Sequence, residues 1–206
     1  MNGAISVIAL SPRGTMFDPQ TSFYMNKLVT GPEAANVIDI RASTADNIKA
    51  VAKAKKLAIS DVTVVVLNRP RHEELIREIR AAGARIRFIQ DGDVAAAIET
   101  ARPNTGIDLL MGIGGTPEGV ITAAAMICLG GAIQGQLHID GKASGAILHT
   151  KDLVNSEDVF LAATGITDGE LIRGIRYTSF GAISQSIVMR GQSKTVRLIE
   201  TEHHLK

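Results

Sequence analysis

The middle of this chain alternates strand-like and helix-like segments three times in succession, and that order restricts the fold more than any other feature. Residues 62–67 are a nearly continuous β-branched run, the mark of a strand buried on both faces. Residues 72–82 follow with Leu75, Ile76 and Ile79 at helical spacing, and Gly83 stands where a left-handed C-terminal cap is expected. Residues 85–89 alternate as a strand, and Asp91 is placed to cap a helix over 93–101. Residues 107–111 give the third strand, and Thr116-Pro117 opens a helix running to about Leu129. Such units predict a parallel sheet covered by helices and joined by right-handed crossovers.

The flanks are less regular. Residues 4–10 read as a buried strand, followed by a turn at Ser11-Pro12-Arg13-Gly14. Residues 23–29 suggest a short helix that ends at Gly31-Pro32, and Ser43 is a natural N-cap for a helix reaching Leu57. Beyond the central units, residues 135–139, 159–163, 171–177, 183–189 and 195–201 are strand-like and separated by Gly, Ser, Asn and Asp, which predicts hairpins or mixed pairing. There is no internal repeat or low-complexity linker, so residues 1–206 are treated as one compact unit, with a candidate subdivision near residue 40.

Composition excludes several classes. Lys+Arg 22 against Asp+Glu 21 leaves a net charge of +1, without the basic excess of a nucleic-acid binder. Aromatics are 3% with no Trp, which does not suit a base-stacking platform. The apolar runs are too short to cross a bilayer, and residues 4–10 lack the flanks of a signal peptide. A single cysteine, Cys128, rules out an intramolecular disulfide framework and reads as a core residue of its helix. A soluble cytoplasmic protein with neither nucleic-acid nor membrane partners is expected.

In open α/β sheets, ligands bind beyond the carboxyl ends of the strands. The three ends here carry Asn68-Arg69-Pro70-Arg71-His72, then Asp91-Gly92-Asp93, then Gly112-Ile113-Gly114-Gly115-Thr116-Pro117-Glu118-Gly119. Arg69 and Arg71 offer planar forks of donors for phosphate oxygens. Asp91 and Asp93 offer acceptors for sugar hydroxyls. The glycine loop permits close backbone approach at a helix N-terminus, and Glu118 is a hard oxygen ligand suited to Mg²⁺ or Mn²⁺. Each has a plainer reading: solvated loop charges for the arginines, an N-cap for Asp91, a dipole-favoured charge for Glu118. His72 fits a surface helix position, and His203 and His204 fit a frayed C-terminus. The coincidence of compatible groups at three successive strand ends favours a phosphorylated polyol with a metal ion. Nucleotide motifs fail: Pro117-Glu118-Gly119 stands where a Walker A loop needs Gly-Lys-Ser/Thr, and Pro117 stands where the dinucleotide fingerprint needs glycine.

These strings, together with Cys128-Leu129-Gly130-Gly131, Gly165-Ile166-Thr167-Asp168-Gly169-Glu170-Leu171 and Ser193-Lys194-Thr195-Val196-Arg197, closely resemble class II fructose-1,6-bisphosphatases, in order and over essentially the whole chain. The resemblance implies a layered fold like that of the lithium-sensitive sugar phosphatases: a parallel or mixed sheet with helices, then a strand-rich C-terminal part. It implies metal-dependent hydrolysis of the 1-phosphate of fructose 1,6-bisphosphate, as in gluconeogenesis, with sedoheptulose 1,7-bisphosphate as a second substrate in some members and Mn²⁺ or Mg²⁺ as the metal. It places Tyr24, Arg69, Pro70, Arg71, Asp91, Gly92, Asp93 and Gly115 at substrate-binding positions and Glu118 at a metal-ligand position. Arg69 is often lysine in this family. Homo-oligomers, dimers or larger, are common among its members.

Members of the family also carry an N-terminal region with several acidic metal ligands, including an Asp-Pro-x-Glu-Gly-Thr segment that this sequence does not contain. The expectation is therefore a C-terminal portion holding substrate-binding walls, with the catalytic residues outside it. Such a chain would be inactive alone and would expose an apolar, self-associating surface. Two other classes stay open: a sugar-phosphate-binding module without turnover, and a nucleotide-binding α/β domain.

Overall fold

The computed structural model describes residues 3–19, 23–139 and 141–204. Along the chain run β1 (Ile5–Leu10), β2 (Tyr24–Thr30), α1 (Thr44–Lys55), β3 (Thr63–Leu67), α2 (Glu73–Ala82), β4 (Arg85–Ile89), α3 (Asp93–Thr100), β5 (Leu109–Gly115) and α4 (Thr116–Leu129). They are followed by β6 (Ala132–Ile139), β7 (Lys142–His149), α5 (Thr150–Leu153), β8 (Phe160–Gly165), β9 (Arg176–Thr178), β10 (Gly181–Arg190) and β11 (Thr195–His204). One sheet has the order β4-β3-β5-β2-β6-β7, and the other has the order β1-β8-β10-β11 with β9 also paired to β10. Only β4-β3-β5 is parallel; β2, β6 and β7 join antiparallel, so the first sheet is mixed.

Burial explains the layering. Val64, Val65 and Val66 are all but inaccessible, because β3 is covered on both faces. Leu28, Val64, Val66 and Leu109 pack with Ile48, Val51 and Ile79 of α1 and α2. Met25, Val29, Val65 and Leu110 face the other way, into a larger core with Ile98, Ala124 and Met126 of α3 and α4. That core continues into Leu161, Ala163, Ile187 and Met189 of the second sheet. α4 is apolar nearly all round because it is enclosed between the two sheets. The outer face of the second sheet is open, with Ile8 and Leu10 half exposed and Ile199 exposed on the same side. Among the described residues no helix is long and apolar enough to cross a membrane.

Several expectations need correction. Residues 23–29 do not form a helix: Tyr24–Thr30 is β2, hydrogen-bonded on both sides. Met25, Leu28 and Val29 mimic a helical face because a strand with both sides covered has no reason to alternate. Residues 4–10 are not a fully buried strand but an edge strand, β1, alternating between partly buried and exposed positions. The glycine run is no loop, since Gly112 to Gly115 continue β5 opposite β2. Asp91 does not cap α3: Gly92 occupies the N-cap position at φ 82°. Of residues 171–177 only Arg176 and Tyr177 lie in a strand. His203 and His204 are paired in β11, and His203 Nε2 lies 2.8 Å from Ser184 Oγ. Ser43 and Gly83 do cap α1 and α2 as expected.

Candidate functional site

The site opens where two parallel strands part. β3 and β5 share ladder pairs only at Val64–Leu109 and Val65–Leu110, after which β5 runs on alone on that side. The gap is closed by the turn that follows β3, whose short 3-10 segment Pro70–His72 begins at a proline already set for helical φ. His72 is buried to 1% exposure, which corrects its reading as a surface residue. Its Nε2 accepts from the Ile113 N–H at 2.7 Å, which leaves Nδ1–H to donate to the Leu67 carbonyl, also at 2.7 Å. Burial holds its pKa below the ordinary value, and the neighbouring Arg71 and Arg69 push the same way.

Arg71 donates from Nε and Nη2 to the Ile113 carbonyl at 3.2 and 2.8 Å, and its guanidinium lies 5.5 Å from the centre of the Tyr24 ring. Arg69 donates to Asp91 Oδ1 at 2.6 Å across the turn after β4. The left-handed Gly92 turns the chain between Asp91 and Asp93, a backbone conformation that suits glycine. Asp93, in the first turn of α3, is buried, and its Oδ2 accepts from Lys27 Nζ at 2.6 Å.

β5 delivers the third group. Gly115 leads into α4, Pro117 sits in its first turn, and the exposed Glu118 folds back over Gly115, where a Cβ would overlap its carboxylate. Gly114 is as confined, since a Cβ there would overlap Asp93 Oδ2 and stand 3.0 Å from Lys27 Nζ.

Together these elements enclose a crevice of about 650 Å³. Of the residues singled out from sequence, Tyr24, Arg69, Arg71, Asp91, Gly92, Asp93, Gly115 and Glu118 line it. Pro70 does not; it starts the turn that presents its two arginine neighbours. Reading by sequence missed Lys27, the contribution of Ile5 and Val7 from β1, and the exposed Phe23 at the wall. The signal for Lys27 was present as a lone charge between Met25 and Val29, two positions from each, on what proves to be one face of a strand.

Among the described residues no three His, Cys, Asp or Glu side chains come together as a metal cluster. Asp91 and Asp93 already hold cations of the protein, which leaves Glu118 as the crevice carboxylate with no hydrogen-bond or ion-pair partner among the described residues. A single carboxylate suits a Mg²⁺- or Mn²⁺-type ion whose other positions are filled by water and phosphate oxygens.

A mixed α/β domain that gathers guanidiniums, carboxylates and glycine backbone where two strands part has the donors and the close backbone approach on which anion recognition at strand ends rests. The comparison with known proteins is specific: residues 1–203 match the family described as bacterial fructose-1,6-bisphosphatase, glpX-encoded, and the chain belongs to that family. It is 43% identical over 226 residues to the D-fructose 1,6-bisphosphatase class 2/sedoheptulose 1,7-bisphosphatase of Microcystis aeruginosa, covering 98% of this chain and 65% of that protein. The proteins of the same description from Crocosphaera subtropica and a Synechocystis species are 43% and 42% identical, with the same coverage. The chain thus spans just under two thirds of the length of these relatives.

Proposed function

We propose that the crevice binds fructose 1,6-bisphosphate, or the homologous sedoheptulose 1,7-bisphosphate, and serves hydrolysis of the 1-phosphate with Mn²⁺ or Mg²⁺. One observation carries the reading: Arg69, Arg71, Asp91, Asp93, Gly115 and Glu118, from three strand ends, line a single cavity. Arg71 and Arg69 bind phosphate oxygens as charged forks, Asp91 and Asp93 orient hydroxyls, and the backbone at Gly115 lets the ligand approach the α4 N-terminus closely. A divalent ion at Glu118 would supply Lewis-acid polarisation of a phosphate oxygen.

Among the described residues lining the crevice, Glu118 is the carboxylate left free for a metal, which favours binding without turnover when this chain acts alone. The open outer face of the second sheet, which exposes Ile8, Leu10 and Ile199 among polar neighbours, supports self-association into a dimer or larger assembly, and a soluble cytoplasmic setting fits a phosphorylated metabolite as ligand. Calorimetric titration with fructose 1,6-bisphosphate, with and without Mn²⁺, combined with a phosphate-release assay, tests the proposal. Saturable binding with little or no phosphate release is expected. Absence of binding in both metal conditions overturns the reading, and rapid turnover overturns its second part.

A further inference from the structure

Lys27 is 2% exposed, and its ammonium, 1% accessible as a side chain, makes its one hydrogen bond among the described residues to Asp93 Oδ2. Glycines clear the space for it. A Cβ at Gly114 would stand 3.0 Å from Nζ, and one at Gly119 would stand 3.5 Å from Cε. Stability is a weak reason for such an arrangement, because a buried ion pair sacrifices hydration that apolar side chains of similar volume would not. Phosphate binding is no better a reason, because Lys27 is enclosed beneath Gly114 while Arg69 and Arg71 stand in the crevice wall.

The remaining role concerns neutral hydroxyls, which need a fixed acceptor. Asp93 Oδ1 has no hydrogen-bond partner among the described residues, and Asp93 lines the crevice with its side chain 11% exposed. Asp91, the other carboxylate of the turn, is held at the surface by Arg69. We infer that Lys27 is a positioning residue for the sugar: it clamps Asp93 Oδ2 so that Oδ1 faces the ligand, which makes this pair a determinant of polyol recognition and not of phosphate recognition. The inference rests on the sugar-bisphosphate reading.

The test compares fructose 1,6-bisphosphate with 1,6-hexanediol bisphosphate, which carries two phosphates on a six-carbon chain without other hydroxyls. Calorimetry on the whole chain with Lys27→Met is expected to show roughly ten- to hundredfold weaker binding of the sugar, the range of a hydrogen bond to a charged group. The diol bisphosphate should change by less than about twofold, because the phosphate-binding arginines are untouched. The double variant Lys27→Met/Asp93→Asn leaves no uncompensated buried charge, and the same selective loss is expected of it. Equal losses for both ligands, or unaltered sugar binding, overturn the inference. If the unsubstituted chain binds neither ligand, the sugar-bisphosphate reading itself fails and this inference with it.

Discussion

His72 Nε2 accepts the Ile113 N–H at 2.7 Å, and so joins the end of β3 to the part of β5 that has separated from it. The ring must be neutral to do this, since an imidazolium would set a donor against a donor. Its pKa is held below 6.5 in the fold, first by burial. The sign follows: this contribution to stability is complete above pH 6.5, the unfolded value, and is lost as pH falls below it toward the depressed folded value. His72→Phe should destabilise the protein by about 2–4 kcal/mol at pH 8, because it strands a buried N–H and a buried carbonyl. Urea unfolding at pH 8 and pH 5.5 checks this, and the gap between the two proteins should narrow at the lower pH.

Adjacent glycines in β5 should respond differently to alanine. At Gly114 a Cβ meets the enclosed Asp93–Lys27 pair, which cannot retreat, so Gly114→Ala should destabilise by roughly 2–4 kcal/mol. At Gly115 the Cβ meets only the carboxylate of exposed Glu118, and the backbone there, at φ −65°, accepts any residue. Gly115→Ala should unfold within about 1 kcal/mol of the original. It should nevertheless lose the Mn²⁺-dependent part of ligand binding, because Glu118 is displaced. Thermal unfolding beside titrations with and without Mn²⁺ separates the two effects.

The parallel core of the fold was legible because β3 and its helices bury both faces of the sheet, and branched runs and apolar residues at helical spacing, such as Leu75, Ile76 and Ile79, announce that directly. β2 was not legible, since a strand flanked and covered on every side has no alternation to read and its Met25, Leu28 and Val29 copy a helix. The crevice was visible as charges and glycines at strand ends. Lys27 stayed hidden because its partner Asp93 is 66 residues away in the chain. His72 stayed hidden too, because its role depends on where β3 and β5 diverge, and only three-dimensional register specifies that.

Arg71 is held by the Ile113 carbonyl on one side and the Tyr24 ring on the other, so its guanidinium is oriented before any ligand arrives. A lysine keeps the charge but cannot reproduce the fork. Arg71→Lys should weaken fructose 1,6-bisphosphate binding by about tenfold, and Tyr24→Leu by a smaller factor of about two to five, in keeping with the loss of a partly exposed cation–π contact. Both losses should shrink at high salt if the contact is to phosphate. Calorimetry at two ionic strengths measures them.

Glu99 gives a prediction of opposite sign. It is 6% exposed on α3, and the nearest cation, Arg87, is 3.9 Å away and also engaged with Glu170. Burial therefore outweighs the attraction and raises its pKa above 4.5, with Glu170 adding in the same direction. A carboxyl whose folded pKa is raised contributes stability that is complete below pH 4.5 and disappears as pH climbs through the folded value. Above that folded value the ionised Glu99 is a net destabilising charge. Glu99→Gln should raise the Tm at pH 7.5 by some 2–4 °C, the scale of a typical single-site change of about 1 kcal/mol in a chain of this size, and should change it by nothing measurable at pH 4. Glu99 does not line the crevice, so ligand binding should be unchanged. A Tm that falls at pH 7.5 would instead show that the Arg87 contact dominates.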